Sequence, residues 1–469
     1  MSTLNTHYSC EQLDAMLHDV RAIYFLGIGG ISVSSLACLS ARQGYAVGGY
    51  DRTVTPLVRR LMEDGIPVDT QSRAENLDGY DAVVYTVAIS AEQPEYVEAQ
   101  RRGLPLISRS NYMGYLMRAY RQRIGIAGTH GKSTTTGMCA EIFAAAQLAP
   151  TVLCGAEMPG LGGAFCVGAQ DTLLFEACEY MDSFLDFYPT TAVILNTELD
   201  HVDYFENLER MCRSYAAFGD KVGELGTVIY NADDTVCEKT MRTGVGRRVS
   251  FGIEADADYR AADIRVEHGQ QSFAFYIRGK HAGRIALQVQ GRHNVYNALA
   301  AAAAAAEQGV CTRAIAAGLE RFGGVHRRME FKAMLDGAAV YDDYAHHPTE
   351  IRAAIDAARA ACTGRLVCVF QSHTYSRTTA LFDEFVAALQ LADAVVIAPI
   401  YAAREQNIYG ISEAMLADAL RQRGVPSDVG TSFEDTARKL REQLVPGDTA
   451  LIMGAGDIEK IYPHLFPCV

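Results

Sequence analysis

Positive charge is what this chain of 469 residues is short of: 42 lysines and arginines face 56 aspartates and glutamates, a formal net charge of −14. Nucleic acids and anionic membranes are held through a positive field, so bulk binding of either is disfavoured and an anionic ligand needs local donors. Long apolar runs are also missing. No stretch approaches the roughly 20 residues of a membrane span, and the first twenty residues lack an apolar run of signal-peptide length. The expected location is the cytoplasm, without a membrane partner. Paired cysteines are absent as well: 12 are scattered singly from Cys10 to Cys468 with no CxxC. That reads as small buried hydrophobes in a reducing compartment rather than a disulfide framework.

What is present is ordinary globular material, 49% hydrophobic and 21% charged, long enough for two to four domains. Three segments each open with a strand pattern that runs into a glycine-rich turn. The first, "AIYFLGIGGISVSSLACLSARQGYAVGGYD" from Ala22 to Asp51, reads as a βαβ unit, and strand-like runs continue to about residue 110. The second starts at "RIGIAG" and offers "TLLFEAC" and "TAVILNTELDH" as buried strands, which predicts a mostly parallel sheet covered on both faces. Its alanine run, Ala300 to Ala306, predicts a tightly packed helix ending at Gly309. The third supplies "AAVYDDYA", "RLVCVF", "AVVIAPI" and "TALIMGAGD", with Gly323-Gly324 before it as a plausible hinge. The expected fold class is α/β with three domains in series, at residues 1–120, 121–324 and 325–469. The first and third are Rossmann-like, and the central one is a mononucleotide-binding parallel-sheet domain.

In "GIGGIS", Gly27 to Ser32, glycines after a strand let the backbone approach a diphosphate, and the following helix offers free N–H groups. Asp51 lies where a Rossmann unit places its ribose-binding acid. A generic βα turn accounts for these glycines equally well, and they do not say whether the diphosphate belongs to NAD or to a nucleotide sugar. "GIAGTHGKSTTTG" resembles a phosphate loop with unusual spacing, because Ile126 stands four residues ahead of the Gly131-Lys132-Ser133 triplet where the common form has glycine. Lys132 and the Ser133 hydroxyl nonetheless fall at a helix N-terminus, a phosphate-binding geometry in which lysine reaches the terminal phosphates and serine can hold Mg²⁺.

Two acid clusters lie just past strands: Glu176 and Glu179 in one, Glu198, Asp200, His201 and Asp203 in the other. Ligands bind at the carboxyl ends of strands in open parallel sheets, so both clusters are expected to face the phosphate loop. Carboxylates beside phosphates imply Mg²⁺, and a histidine ligand points to a second site tolerant of Mn²⁺. In the third segment "YDDYAHHPTEI" and "FQSHTYSRT" bring Asp342, Asp343, Tyr344, His346, His347, His373 and Arg377 to strand ends, where histidine can take a proton from an amine and arginine can hold a carboxylate.

These motifs, in this order and over nearly the whole chain, resemble the Mur ligase family, whose reaction is ATP-dependent amide formation through an acyl phosphate. The resemblance extends through "GRHNVYNALAA", "GVHRRMEF" and "MGAGDI". It implies UDP-N-acetylmuramate, ATP and an amino acid as substrates, held by the first, central and third domains respectively, in peptidoglycan precursor synthesis. It further implies Lys132 on the transferred phosphate, with Ser133 and Glu176 on Mg²⁺ and His201 at a second metal. Gly128, Thr129, His130, Gly131 and Thr134 complete the ATP loop, and the part played by His130 is taken as local packing. Asn294 and Asn297 match positions around adenine, Arg327 or Arg328 a position near the phosphates, and Asp342 a ribose contact. Gly27, Gly29, Gly30, Ile31, Ser32 and Asp51 take the UDP-sugar. Tyr344, His346 and Arg377 match the amino-acid pocket, with His373 as the acceptor of the amine proton.

Ser133 replaces the usual threonine and keeps its hydroxyl, Cys178 replaces an acid in the first cluster, and Thr374 stands where many members have a second arginine. Ala216 occupies the offset at which sister ligases carry a carbamylated lysine, which favours the subgroup that adds L-alanine. A recycling ligase that attaches a whole tripeptide is the near rival, and an NAD oxidoreductase or a non-catalytic nucleotide-binding partner are the distant ones. The expected assembly is a monomer or homodimer.

Overall fold

The computed structural model describes residues 5–168, 171–201, 204–267, 270–403 and 405–466. Asp203 and Cys468 lie outside the described residues. Three sheets follow one another along the chain. The first is all parallel, in the order β3-β2-β1-β4-β5, from β1 (Ala22–Leu26), β2 (Ala46–Tyr50), β3 (Val68–Asp69), β4 (Ala82–Tyr85) and β5 (Leu106–Ser108). β1 is buried at all five positions, as a middle strand covered on both faces must be. After it the chain turns at Gly27, whose φ of +78° favours glycine, and enters the helix Ile31–Arg42.

The central sheet contains β6 (Gln122–Ala127), β7 (Thr151–Met158), β8 (Gly163–Cys166), β9 (Thr172–Glu176), β10 (Thr191–Ile194), β11 (Thr227–Asn231), β12 (Arg247–Gly252), β13 (Tyr259–Glu267), β14 (Gln270–Ile277) and β15 (Lys280–Leu287). Their order is β15-β14-β13-β12-β11-β10-β6-β9-β7-β8. The expectation of a mostly parallel sheet holds from β7 to β13; both ends depart from it, because β8 and the β13-β14-β15 meander pair antiparallel. The β14-β15 turn is two residues long, Arg278 (φ +46°) and Gly279 (φ +75°), so both sit in the left-handed region that two-residue hairpins require.

One face of this sheet carries the helices Lys132–Ala145, Arg292–Glu307 and Thr312–Arg321. Ala300 to Ala305 are each no more than 1% exposed, which lets the alanine helix lie close against its neighbours. That helix ends as expected, with Gly309 at φ +84° just beyond it. A Cβ on Gly318 would lie 2.4 Å from the Ile142 Cα, so the first and last of these helices touch through backbone. On the other face Phe184 and Phe218 stack with centroids 4.7 Å apart, within a core shared with the first sheet.

The third sheet, in the order β16-β17-β21-β18-β19-β20, contains β16 (Glu330–Leu335), β17 (Ala338–Asp343), β18 (Leu366–Phe370), β19 (Ala394–Ile397), β20 (Ser427–Val429) and β21 (Thr449–Met453). Only the edge strand β16 is antiparallel to its neighbour. β10 and β6, and likewise β17 and β18, deliver their following loops to one junction between the central and third sheets.

Candidate active site

β6 ends at Ala127, and the loop Gly128–Gly131 leads into the helix Lys132–Ala145. Gly131 occupies the N-cap at φ +84°, where a Cβ would collide with Asn297 Oδ1 at 2.4 Å. No side chain caps this helix, so its first N–H groups and partial positive charge face the loop. Lys132 Nζ folds back to donate to Gly128 O at 2.6 Å, Thr129 O at 3.1 Å and Glu179 Oε2 at 3.1 Å. Burial opposes the charge on Lys132, and Glu179 more than offsets it, holding the ammonium above its ordinary range.

Glu179, one of the acids expected to face the loop but given no role of its own there, is the hub of the cluster. Its side chain is fully buried, and its carboxylate also lies 3.5 Å from His201 Nε2. Burial opposes its charge, while Lys132 and His201 together keep its pKa below the usual glutamate value. Glu176, at the end of β9, accepts from Cys154 Sγ at 2.7 Å and Gly155 N at 2.9 Å. The same sulfur lies 3.9 Å from Ser133 O, which brings Ser133 and Glu176 to one corner. Ser133 and Glu176 offer the hard oxygen donors that Mg²⁺ takes, and among the described residues the Glu176 carboxylate accepts only from a thiol and one amide, so the set fits that ion.

A cleft of about 710 Å³ opens beside the loop, lined by Gly131, Thr134, His293, Asn294, Asn297 and Arg328. Asn297 Nδ2 donates to Asn294 Oδ1 at 3.1 Å, and Asn294 Nδ2 donates to Gln290 O at 2.7 Å, so both amides are fixed at the wall. Burial and the nearby Arg328 charge lower His293 to about 4, leaving it neutral. Of the two arginines in "HRRME", Arg328 lines this cleft. Arg327 turns inward at φ +56° to meet Asp342 at 3.3 Å and Glu459 at 3.2 Å. Asp342 is fully buried against it, and Asp343 is the one of the pair that faces the cleft. Of the expected residues, Arg328 therefore lines the cleft, while Arg327 and Asp342 are paired with each other and Asp343 stands at the cleft in place of Asp342.

His130 is not packing material. Its Nε2 lies 3.0 Å from Glu198 Oε2 and its Nδ1 3.3 Å from Glu350 Oε1. Burial opposes protonation, but the two glutamates outweigh it and raise the imidazole to about 9. Thr349 Oγ1 donates to Glu198 Oε1 at 2.6 Å, so this contact joins the central and third sheets.

Tyr344, His346, His373 and Arg377 do come together. The rings of Tyr344 and His346 are 5.5 Å apart and those of His346 and His373 6.1 Å. Arg377 Nη1 donates to His373 Nδ1 at 3.3 Å and Nη2 to Asp200 Oδ1 at 2.8 Å. Burial, with Arg377 adding to it, lowers His373 to about 4; burial likewise lowers His346 to about 4. Both are neutral near pH 7. Thr374, at φ +67°, caps the short helix Tyr375–Ala380 that carries Arg377.

In the first sheet the glycine turn is closed on itself, with Gly29 N donating to Asp51 Oδ2 at 3.0 Å. Ile31 and Ser32 open the helix, and Ser32 Oγ accepts from Arg109 Nη1 at 2.9 Å. Arg109 sits between this turn and the Cys178 loop, a cation that no motif announced.

Comparison with known proteins agrees along the chain. Family models described as the Mur ligase family catalytic domain, the Mur ligase middle domain and the Mur ligase glutamate ligase domain match residues 22–121, 126–305 and 327–456. A UDP-N-acetylmuramate–L-alanine ligase of Lachnospira eligens is 42% identical over 451 residues, 94% of this chain and 96% of the relative. One from Clostridium acetobutylicum is 40% identical over 442 residues, again 94% and 96%. Among solved structures, the UDP-N-acetylmuramate-alanine ligase of Thermotoga maritima superposes with a TM-score of 0.80 at 28% identity, covering 95% of this chain and 98% of that one.

Proposed function

The chain belongs to the Mur ligase family, and we propose that it joins L-alanine to the carboxylate of UDP-N-acetylmuramate at the expense of ATP, releasing ADP and phosphate in peptidoglycan precursor synthesis. The observation that carries this reading is the meeting of two chemistries at one junction. A lysine at an uncapped helix N-terminus lies within a carboxylate–imidazole cluster, and Asp200 of that cluster touches the arginine of a neutral-histidine pocket.

A carboxylate is a poor electrophile until one of its oxygens becomes phosphate. The muramyl carboxylate therefore attacks the γ-phosphorus, ADP leaves, and the alanine amine then attacks the acyl carbon and expels phosphate. In this reading Lys132 exchanges Glu179 for the transferred phosphate, and the helix N–H groups behind Gly131 hold its neighbours in place. Ser133 and Glu176 hold Mg²⁺, with Glu179 and His201 at hand for a second ion. When bound, the metal neutralises phosphate charge. Asn294 and Asn297 hold adenine, Arg328 the phosphates and Asp343 the ribose. Arg377 takes the alanine carboxylate; it then leaves His373 Nδ1, whose freed lone pair accepts the amine proton. Gly27 to Ser32 take the diphosphate of the sugar nucleotide once Asp51 releases Gly29 N.

Domain limits at 1–120, 121–324 and 325–469, with Gly324 at φ +109° as the pivot, belong to the same proposal. So do a cytoplasmic location and a monomeric or homodimeric state. Among the described residues no helix is long and apolar enough to cross a membrane.

ADP release measured with UDP-N-acetylmuramate and either L-alanine or L-Ala-γ-D-Glu-diaminopimelate tests the reading. Turnover with L-alanine is expected, and turnover with the tripeptide alone would overturn it in favour of the recycling reaction.

A further inference from the structure

A second group of metal-competent side chains lies apart from Ser133, Glu176 and His201. His130 comes from the phosphate loop, Glu198 from the segment after β10, and His347 from the N-cap of the helix Pro348–Ala361. One donor atom from each lies within 4.8 Å of the other two. His130 Nε2 is 3.0 Å and His347 Nδ1 4.0 Å from the same oxygen, Glu198 Oε2, and the two imidazoles tilt together with centroids 4.9 Å apart. Ligand atoms around a tetrahedral dication stand about 3.3 Å from one another, so the longer separations here close by about 1.5 Å at most.

Two further observations set this group apart from an ordinary ion-pair cluster. His347 is only 3% exposed, yet among the described residues its Nε2 has no hydrogen-bond partner and its Nδ1 only a long one, 3.4 Å from Thr349 N. Buried polar atoms are nearly always satisfied, so this ring is under-used by the protein itself. On the far side of His130, Glu350 lies 3.3 Å from Nδ1, the position from which a carboxylate fixes the ring of a metal-bound histidine.

We infer that His130, Glu198 and His347 form a binding site for a borderline first-row dication such as Zn²⁺, bridging the central and third domains. Two imidazoles and one carboxylate suit that class, whereas the oxygens of Ser133 and Glu176 suit Mg²⁺. Because His130 and Glu198 line the nucleotide cleft and His347 caps the third-sheet helix Pro348–Ala361, an ion here ties that helix to the cleft wall of the central domain. The site stands independently of which substrate the enzyme ligates.

Calorimetric titration of Zn²⁺ into the full-length, nucleotide-free protein tests the inference, with Co²⁺ absorption as a second readout. One saturable equivalent is expected, weakened at least tenfold in both His347→Gln and Glu198→Gln and unchanged in His201→Gln. Binding lost in His201→Gln but kept in His347→Gln would overturn the inference, as would no saturable binding. Should the His347 and Glu198 variants fail to fold, the unaltered protein decides. Strong visible Co²⁺ bands of a four- or five-coordinate nitrogen-containing site are expected. Weak octahedral bands alone, or a near-ultraviolet thiolate band from one of the free cysteines, would refute it.

Discussion

Arg377 Nη2 donates to Asp200 Oδ1 across 2.8 Å, and both side chains are less than a tenth exposed, so the cation proposed to receive the amino acid already holds a carboxylate of the protein's own. In the proposed reading Asp200 holds the place that the alanine carboxylate takes, and burial opposes its charge less than His201 and Arg377 favour it. Arg377→Ala is expected to raise the KM for L-alanine at least 100-fold, because one partner of a buried charge-assisted pair is worth about 3 kcal/mol or more. The KM for ATP should stay near its original value, and steady-state kinetics with each substrate varied in turn separates the two. Arg377→Lys should recover only part of the loss, since a lysine lacks the planar fork.

Lys132→Ala should lower kcat by about 10³-fold while UDP-N-acetylmuramate still binds, since a preorganised cationic donor is removed from phosphate and the sugar nucleotide is proposed to be held by another domain. The variant also leaves Glu179 buried without its ammonium, a cost of about 3–5 kcal/mol that a lower melting temperature would reveal. Calorimetry showing that UDP-N-acetylmuramate binding had vanished would contradict the separation of sites.

The thiol of Cys154 holds Glu176 in position, so its removal should be felt through the metal. Cys154→Ala is expected to raise the Mg²⁺ concentration for half-maximal activity about tenfold, as loss of a supporting contact to a ligand commonly does. Cys154→Ser keeps a donor at that point and should stay near the parent enzyme; an equal defect in both variants would point to packing instead.

His373 predicts an acid-sensitive contribution to stability. Its folded value of about 4 lies below the ordinary value near 6.5, so between those limits the unfolded chain carries the extra proton. The contribution is complete above about pH 6.5 and is lost as the pH falls towards 4. Urea unfolding at pH 7.5 and 4.5 should show the difference between the two pH values shrinking by about 1–3 kcal/mol in His373→Gln. An undiminished difference would mean that the ring is already charged near neutrality.

Gly318→Ala should destabilise the central domain by about 1–3 kcal/mol through overpacking, since its Cβ falls 2.4 Å from the Ile142 Cα and neither helix can rotate away from the alanine face. The central-domain transition in thermal unfolding measures it.

Strand, glycine turn and helix were legible in "AIYFLGIGG" and "RIGIAGTHGKS" because apolar runs and glycine punctuation are local signals, and the rule that ligands meet strand ends pointed to acids that the structure brings beside the loop. The meander β13 to β15 escaped because its two-residue turn uses Arg278-Gly279 rather than Asn-Gly, and its alternation is diluted by charged residues at the exposed end of β13. Glu179 was visible only as one acid among several, since nothing in "EACEYMDSF" says which carboxylate turns towards Lys132. The choice between Arg327 and Arg328 rested on a backbone angle, which two identical neighbours cannot encode. His130 looked like loop packing because Glu198 and Glu350 reach it from segments distant in sequence.

The place of β21 in the third sheet bears on how the protein is made. Thr449–Met453 pairs with β17 on one side and β18 on the other, so the member that joins the two halves is made after every other strand of that sheet. The first sheet has every strand by residue 108 and can close while the rest is still being synthesised. At about 5–20 residues per second, β18 waits several seconds beyond its own synthesis for its neighbour, with the apolar edge of "LVCVF" uncovered. A nascent chain halted ahead of Thr449 therefore carries a finished first sheet and an aggregation-prone half-sheet, which makes the interval between β18 and β21 the vulnerable period in this enzyme's biogenesis.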